Sequence, residues 1–330
     1  MMHTRTTSLP RFRPANQETI VLLAAFALAL LFAATLDGFS SWGNIMTLLR
    51  SVSILGILAL GMIMVIIIRG IDLSQVAIGM VSAAIVVKGV ALGYPLPVCL
   101  LVGLPLALSM GLVNSLLVDR LQIPALFVTL TTVFIYVGLA RVTVLPSMII
   151  NLPPDSRSLT SLAGNWHSIP IPLLLFLACA LAMHLFLART TIGRFFYAYG
   201  DNPETARLYG MPVRIIPLMA YMGSALLAFL AGLLMVSTTA MADLKTVNST
   251  LIFDVILVVV VGGASFAGAR GSVASVIAGL LLVGVLLNAM TIMDINSQLQ
   301  NIIKGAVLLV VLVADKWLYP FDEESSRQSI

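Results

Sequence analysis

Thr129, Thr132 and Tyr136 recur at i, i+3 and i+7 within one apolar run, a spacing that puts three hydroxyls on a single face of a helix. Neutral hydroxyls offer hydrogen bonds without charge. They suit a path along which hydroxylated solutes pass without being firmly held. Groups of the same kind interrupt the neighbouring apolar runs: Asn114, Asn288 with Thr291, Asn301 with Lys304, and Asp254 near the outer end of its run. Amides and ionisable groups are costly in lipid, so each is expected to face a bundle interior or a wet cavity. Packing between helices accounts equally for any one of them taken singly. Asp72 joins the set from a polar break, Arg69-Gly70-Ile71-Asp72-Leu73-Ser74. There Gly70 permits a sharp turn, Asp72 and Ser74 can cap the next helix, and Arg69 is placed to pair with Asp72. A proton- or sodium-coupled carrier would show more carboxylates at mid-depth.

Other chemistries have less to stand on. Ser265 follows Gly263 in a Gly-x-Ser context and His184 lies in an apolar run, which names a nucleophile and base for an intramembrane serine hydrolase. No oxyanion donor set accompanies them. His3 and His167 sit in polar flanks, leaving no metal constellation, and Cys99 and Cys179 lie inside apolar runs, leaving no disulfide framework. The chain has no Gly-x-x-x-x-Gly-Lys-Ser/Thr phosphate loop. Any nucleotide energy must come from a partner, and no cofactor is expected in the chain itself. The net charge of +4 is scattered through short loops without a basic, aromatic-interleaved face, which argues against nucleic acid.

The elements that must position these groups are membrane helices. Hydrophobic residues make up 60% of the chain, charged residues 10%, and the mean hydropathy is +1.07, whereas soluble domains carry about 25% charged residues. Apolar runs at 20–36, 51–68, 75–93, 96–118, 125–145, 170–188, 214–236, 251–267, 272–292 and 298–315 predict an all-α integral membrane protein with about ten transmembrane helices. The first run follows Arg5, Arg11 and Arg13, but it is long for a signal peptide and lacks a clear cleavage site. With the N-terminus inside, only Arg50, Lys88, Arg141, Arg157, Lys245 and the intraspan Lys304 escape the cytoplasmic side, leaving twelve of eighteen Lys and Arg there. Both termini are therefore expected in the cytoplasm. The domain reading is a tail at 1–19, a transmembrane unit at 20–316 and a tail at 317–330.

Three connections stand out. Residues 189–214 are the longest strongly charged interruption, and their middle spells a short helix: Asn202 as N-cap, Pro203 in the first turn, Glu204 at the positive end and Gly210 as terminator. About two turns are marginal alone in water, and Leu208, Tyr209 and Met211 give the helix an apolar side, so it calls for a docking partner. Residues 146–169 form the longest outer segment, a polar surface with Trp166 that could receive a soluble partner. Residues 262–271 hold Gly262, Gly263, Gly268 and Gly271, implying irregular backbone that a membrane tolerates only where protein covers it.

From residue 40 to 316 the chain resembles the permease subunits of ribose-type bacterial ABC sugar importers. The break at 69–77 is similar to that family's Gly-Gly-Ile-Asp-Leu-Ser-Val-Gly-Ser, with Arg69 in place of the first glycine and Gln75-Val76-Ala77 in place of Val-Gly-Ser. Ile123-Pro124-Ala125 with Thr129-Leu130 resembles its Ile-Pro-Ala-Phe-Ile-x-Thr-Leu. Gly193-Arg194, Tyr197-Ala198, Gly200, Asn202-Pro203-Glu204, Ala206-Arg207-Leu208 and Gly210 look like its cytoplasmic segment. Asp254, Gly262-Gly263, Gly268, Arg270-Gly271-Ser272, Asn288 and Lys304-Gly305 look like its C-terminal pattern, with Ile252 where an acidic residue is frequent. The resemblance implies a coupling helix within 189–214 that seats in a cytoplasmic ABC ATPase, which binds the ATP and magnesium. It also implies a second permease subunit, in a homo- or heterodimer, and a periplasmic solute-binding protein. The expected setting is the bacterial inner membrane and the expected cargo a monosaccharide or similar polyhydroxylated solute. The candidate translocation residues are then Asp72, Asn114, Thr129, Thr132, Tyr136, Asp254, Asn288 and Lys304. The candidate coupling residues are Arg194, Gly200, Asn202, Pro203, Glu204, Arg207, Leu208 and Gly210.

Overall fold

The computed structural model describes residues 14–154 and 156–318. Residues 1–13 and 319–330 of the expected tails, with His3, Arg5, Arg11, Arg13 and Arg327, lie outside the described residues. In chain order the helices are α1 Pro14–Thr35, α2 Trp42–Ile67, α3 Gln75–Ala91, α4 Leu96–Asp119, α5 Ala125–Thr143, α6 Arg157–Thr160, α7 Ile171–Arg189, α8 Thr191–Asp201, α9 Pro203–Leu208, α10 Ile215–Thr239, α11 Leu251–Val261, α12 Val273–Ile292 and α13 Ser297–Leu318. Four very short strands, β1 Ile149–Asn151, β2 Asn165–Trp166, β3 Ile169–Pro170 and β4 Met241–Asp243, lie in the connections. The protein is all-α.

The centre is α2. Its stretch from Ser53 to Ile67 is buried without a break, so this helix is apolar all round because protein surrounds it. Helix α10 packs against α2, α3 and α4, while α1 lies outermost against α12. Small residues permit the close crossings that van der Waals packing in lipid needs: a Cβ on Gly232 of α10 would overlap the Gly79 carbonyl of α3.

Seven helices are long and apolar enough to cross a membrane: α1, α2, α4, α5, α7, α10 and α12. The expected spans at 75–93, 251–267 and 298–315 fall on the shorter apolar stretches Gln75–Ala91, Leu251–Val261 and Ser297–Val313. The run at 251–267 is a correction. Its helix has 11 residues, which rise about 16 Å, half of the ~30 Å hydrocarbon core. Gly263 at φ +109°, Gly268 at +85° and Gly271 at +137° turn the following backbone away from helix. As the glycines imply, that loop is packed: Ala264 and Ser265 are buried.

The outer segment also departs from a plain loop. Strand β1 pairs antiparallel with β4, Ile149 opposite Asp243, and β2 pairs with β3. Ser237 Oγ of α10 donates to Leu159 O at 2.6 Å. Residues 149–154 and 156–170 thus form a small folded cap tied to the end of α10.

Candidate translocation and coupling site

Asp72 is fully buried in the turn between α2 and α3. Its Oδ1 accepts from Ser74 N at 3.1 Å and Ser74 Oγ at 2.6 Å, and its Oδ2 accepts from Ser224 Oγ of α10 at 2.8 Å. Asn114 Nδ2 of α4 donates to Ser74 Oγ at 2.7 Å. Tyr136 OH of α5 lies 3.1 Å from Asn114 Oδ1 and 2.9 Å from Met110 O. One relay therefore runs Tyr136, Asn114, Ser74, Asp72, Ser224 and ties α5, α4, the turn and α10 together. Thr129 Oγ1 lies 3.0 Å from Ile71 O and 2.9 Å from Ala125 O, and Thr132 Oγ1 donates to Thr129 O at 3.1 Å. The α5 face forms as its spacing predicts: Val128, Thr129, Thr132, Tyr136 and Ala140 are its buried residues.

The other three candidate translocation residues do not join this network. Asn288 and Asn44 exchange amide hydrogen bonds of 2.8 and 2.9 Å, clasping α12 to the start of α2. That is about 35 Å along α2 from its other end at Ile67, at 1.5 Å per residue, beside which the Asp72 turn lies. Lys304 Nζ of α13 sits 2.8 Å from Asp254 Oδ1 of α11 and donates to Thr250 Oγ1 at 3.0 Å. Both side chains are nearly buried, at 11% and 13% exposure. An ion pair there lets the half-length α11 hold a charge that alone would be costly in an apolar setting.

The Arg69–Asp72 pair is not formed. Arg69 has φ +66° and turns its side chain the other way: Nε donates to Gly200 O at 2.6 Å and Nη2 to Asp201 O. Those carbonyls end α8. Three backbone stretches meet here, because Ala269 N donates to Ile67 O at 2.9 Å and a Cβ on Gly200 would overlap Ile67 O. Tyr197 OH of α8 adds a bond of 2.9 Å to Gly271 O. Burial pushes the Tyr199 phenol above its ordinary value, with Asp119 adding and Arg69 opposing; burial, with Glu18 adding, does the same at Tyr197. Both phenols stay neutral, and Tyr197 serves as a donor.

The short helix forms as its caps imply. Asn202 Oδ1 accepts from Thr205 N at 2.9 Å, Pro203 opens α9, and Gly210 turns the chain at φ +75°. Ala206 faces inward, while Arg194, Glu204 and Arg207 are exposed. Leu208 and Tyr209 are 87% and 80% exposed. An open cleft of about 1130 Å³ separates this segment from Asp119, Arg120 and Gln122 at the end of α4.

Leu208 closes α9 and Tyr209 caps it, so the helix ends in an exposed apolar pair. Residues 44–312 match the family described as branched-chain amino acid transport system / permease component. The chain belongs to this permease family. The ribose import permease protein of Haemophilus influenzae is 32% identical over 96% of this chain and 98% of its own. The autoinducer 2 import system permease protein of Photorhabdus luminescens is 33% identical over 91% and 90%, and the L-arabinose transport system permease protein of Escherichia coli 31% over 90% and 90%. No solved structure matches the chain. The permease is a multi-pass membrane protein and a transport subunit rather than an enzyme. The hydrolase reading falls with that, and its residues agree: Ser265 is buried in the glycine loop with Oγ accepting from Ala267 N at 3.4 Å, while His184 is exposed on α7.

Sequence reasoning missed Ser224, a serine set between Gly223 and Ala225 in α10, and Asn44, whose amide answers Asn288. Neither carries a local signal, since each acquires its role from a partner more than 150 positions away.

Proposed function

We propose that the permease imports a monosaccharide or similar polyhydroxylated solute across the bacterial inner membrane, driven by a partner ABC ATPase that carries the ATP and magnesium. What supports this most is that proteins named for ribose import, autoinducer 2 import and L-arabinose transport match at least 90% of the chain. A periplasmic binding protein delivers the solute, and a second permease subunit completes the membrane unit. The family description names branched-chain amino acids, but an amino acid calls for fixed opposite charges to hold its carboxylate and ammonium. The α5 face offers neutral hydroxyls instead, and Asp72 is already held by three donors. On this reading Thr129, Thr132, Tyr136 and Asn114 exchange partners with sugar hydroxyls when the bundle opens. Such a trade of one neutral hydrogen bond for another is close to even in free energy. Asn288 and the Asp254–Lys304 pair serve the opposite end of the route.

Residues 202–210 are the docking helix, with Leu208 and Tyr209 as its anchor. Each side chain buried at the ATPase is worth roughly 1.5–3 kcal/mol, and each 1.4 kcal/mol is about tenfold in affinity. Leu208→Ala with Tyr209→Ala is expected to lower copurification of the ATPase at least tenfold (about) while leaving the exposed segment folded. Glu204→Ala and Arg207→Ala, as rim charges, should weaken it less. Undiminished copurification of the double variant would remove this helix as the docking element.

A further inference from the structure

We propose that Arg69 is the positioning residue through which the coupling segment pulls on the Asp72 turn, an inference that rests on the docking reading above. At φ +66° glycine is at ease and arginine is not. What the position gains from arginine is therefore its side chain. That side chain forks onto Gly200 O and Asp201 O, the last two carbonyls of α8, which directly precede the Asn202 cap of α9. Carbonyls at a helix C-terminus lack intrahelical partners and carry the negative end of the dipole, so a guanidinium fits them well. The stem is walled as well: a Cβ on Gly268 would overlap Arg69 Cγ.

The two links of α8 to the 67–69 backbone and side chain differ mechanically. The close approach of Gly200 to Ile67 O resists compression only, so it transmits a push. The two hydrogen bonds of Arg69 also resist separation, so they transmit a pull. Three residues on, Asp72 is fastened to Ser74 and, through Oδ2, to Ser224 of α10. A rigid shift of α8 and α9 away from the bundle would draw Arg69 with it and load the Asp72–Ser224 bond between the turn and α10. Tyr197 OH also holds α8, but to Gly271 O in the glycine loop; in this chain the direct pull on the Asp72 turn runs through the Arg69 fork.

The test uses the permease reconstituted in proteoliposomes with its ATPase and binding protein. Arg69→Gly suits the backbone and removes the fork; Arg69→Lys keeps the charge without the planar pair of donors. Arg69→Gly should copurify with the ATPase at wild-type level, yet lose at least about tenfold in solute uptake, with the ATP consumed per solute rising by a similar factor. Arg69→Lys should fall between it and wild type. Uptake by Arg69→Gly at the wild-type ATP-to-solute ratio would overturn the proposal, as would loss of its ATPase copurification, which would make Arg69 part of the docking surface. Failure of the docking reading itself would show separately, in the Leu208 and Tyr209 variants.

Discussion

Asp72→Ala is expected to cost the permease most of its folded population in the membrane. The substitution strands three donors in a fully buried place: Ser74 N–H, Ser74 O–H and Ser224 O–H. A buried donor left unmade costs about 1–3 kcal/mol, so the sum is on the order of 3–5 kcal/mol even if one hydroxyl rotates to a new partner. The loss spreads because Asn114 and Tyr136 hang from the same relay, and α4, α5 and α10 lose their common tie to the turn. Asp72→Asn should be milder, since it keeps the shape and one acceptor oxygen and lets Ser224 reverse to accept from the new amide. Monodispersity and thermal unfolding of the detergent-purified variants check this. An Asp72→Ala protein with wild-type melting behaviour would show that the relay does not hold the bundle.

Gly200→Ala is expected to abolish most uptake with a single methyl. The added Cβ would overlap Ile67 O and stand 2.7 Å from Ala269 N. Both are backbone atoms, so neither can swing aside as a side chain would. Overpacking of this kind costs typically about 1–3 kcal/mol, and the better helix propensity of alanine returns at most about 1 kcal/mol. The separation of α8 from the turn matters more than the energy, because it stretches the Arg69 bonds to Gly200 O and Asp201 O. Gly138→Ala is the control. Gly138 lies within α5, outside the coupling segment, with open space around it, so alanine there should fit without overpacking and leave the junction intact. Uptake assays on the two variants separate these effects; equal activity of both would mean that the close approach at Gly200 is unimportant.

The sequence was most legible where a role is local. Asn202, Pro203 and Gly210 carry their helix-end preferences in their own chemistry, and α9 forms between them. The α5 face was legible for the same reason, since helical periodicity alone aligns Thr129, Thr132 and Tyr136. Arg69 was misread because a neighbouring carboxylate is the obvious partner on paper. The Asp72 carboxylate was taken by two serines, and the α8 carbonyls, 131 and 132 positions away, took the guanidinium. Backbone acceptors leave no side-chain trace in a sequence. The half-length α11 was overread as a full span because hydropathy runs on through Gly262 and Gly263, where backbone geometry, not polarity, ends the helix. The cap over residues 149–154 and 156–170 escaped because β1 pairs with a strand after α10, beyond any local pattern.

The account is tested most directly by solute uptake into proteoliposomes that hold the permease. With the cytoplasmic ATPase, the binding protein, ATP and magnesium present, accumulation of a monosaccharide is expected, and it should vanish when the ATPase is left out. Uptake that persists without the ATPase and follows an imposed proton or sodium gradient would contradict it.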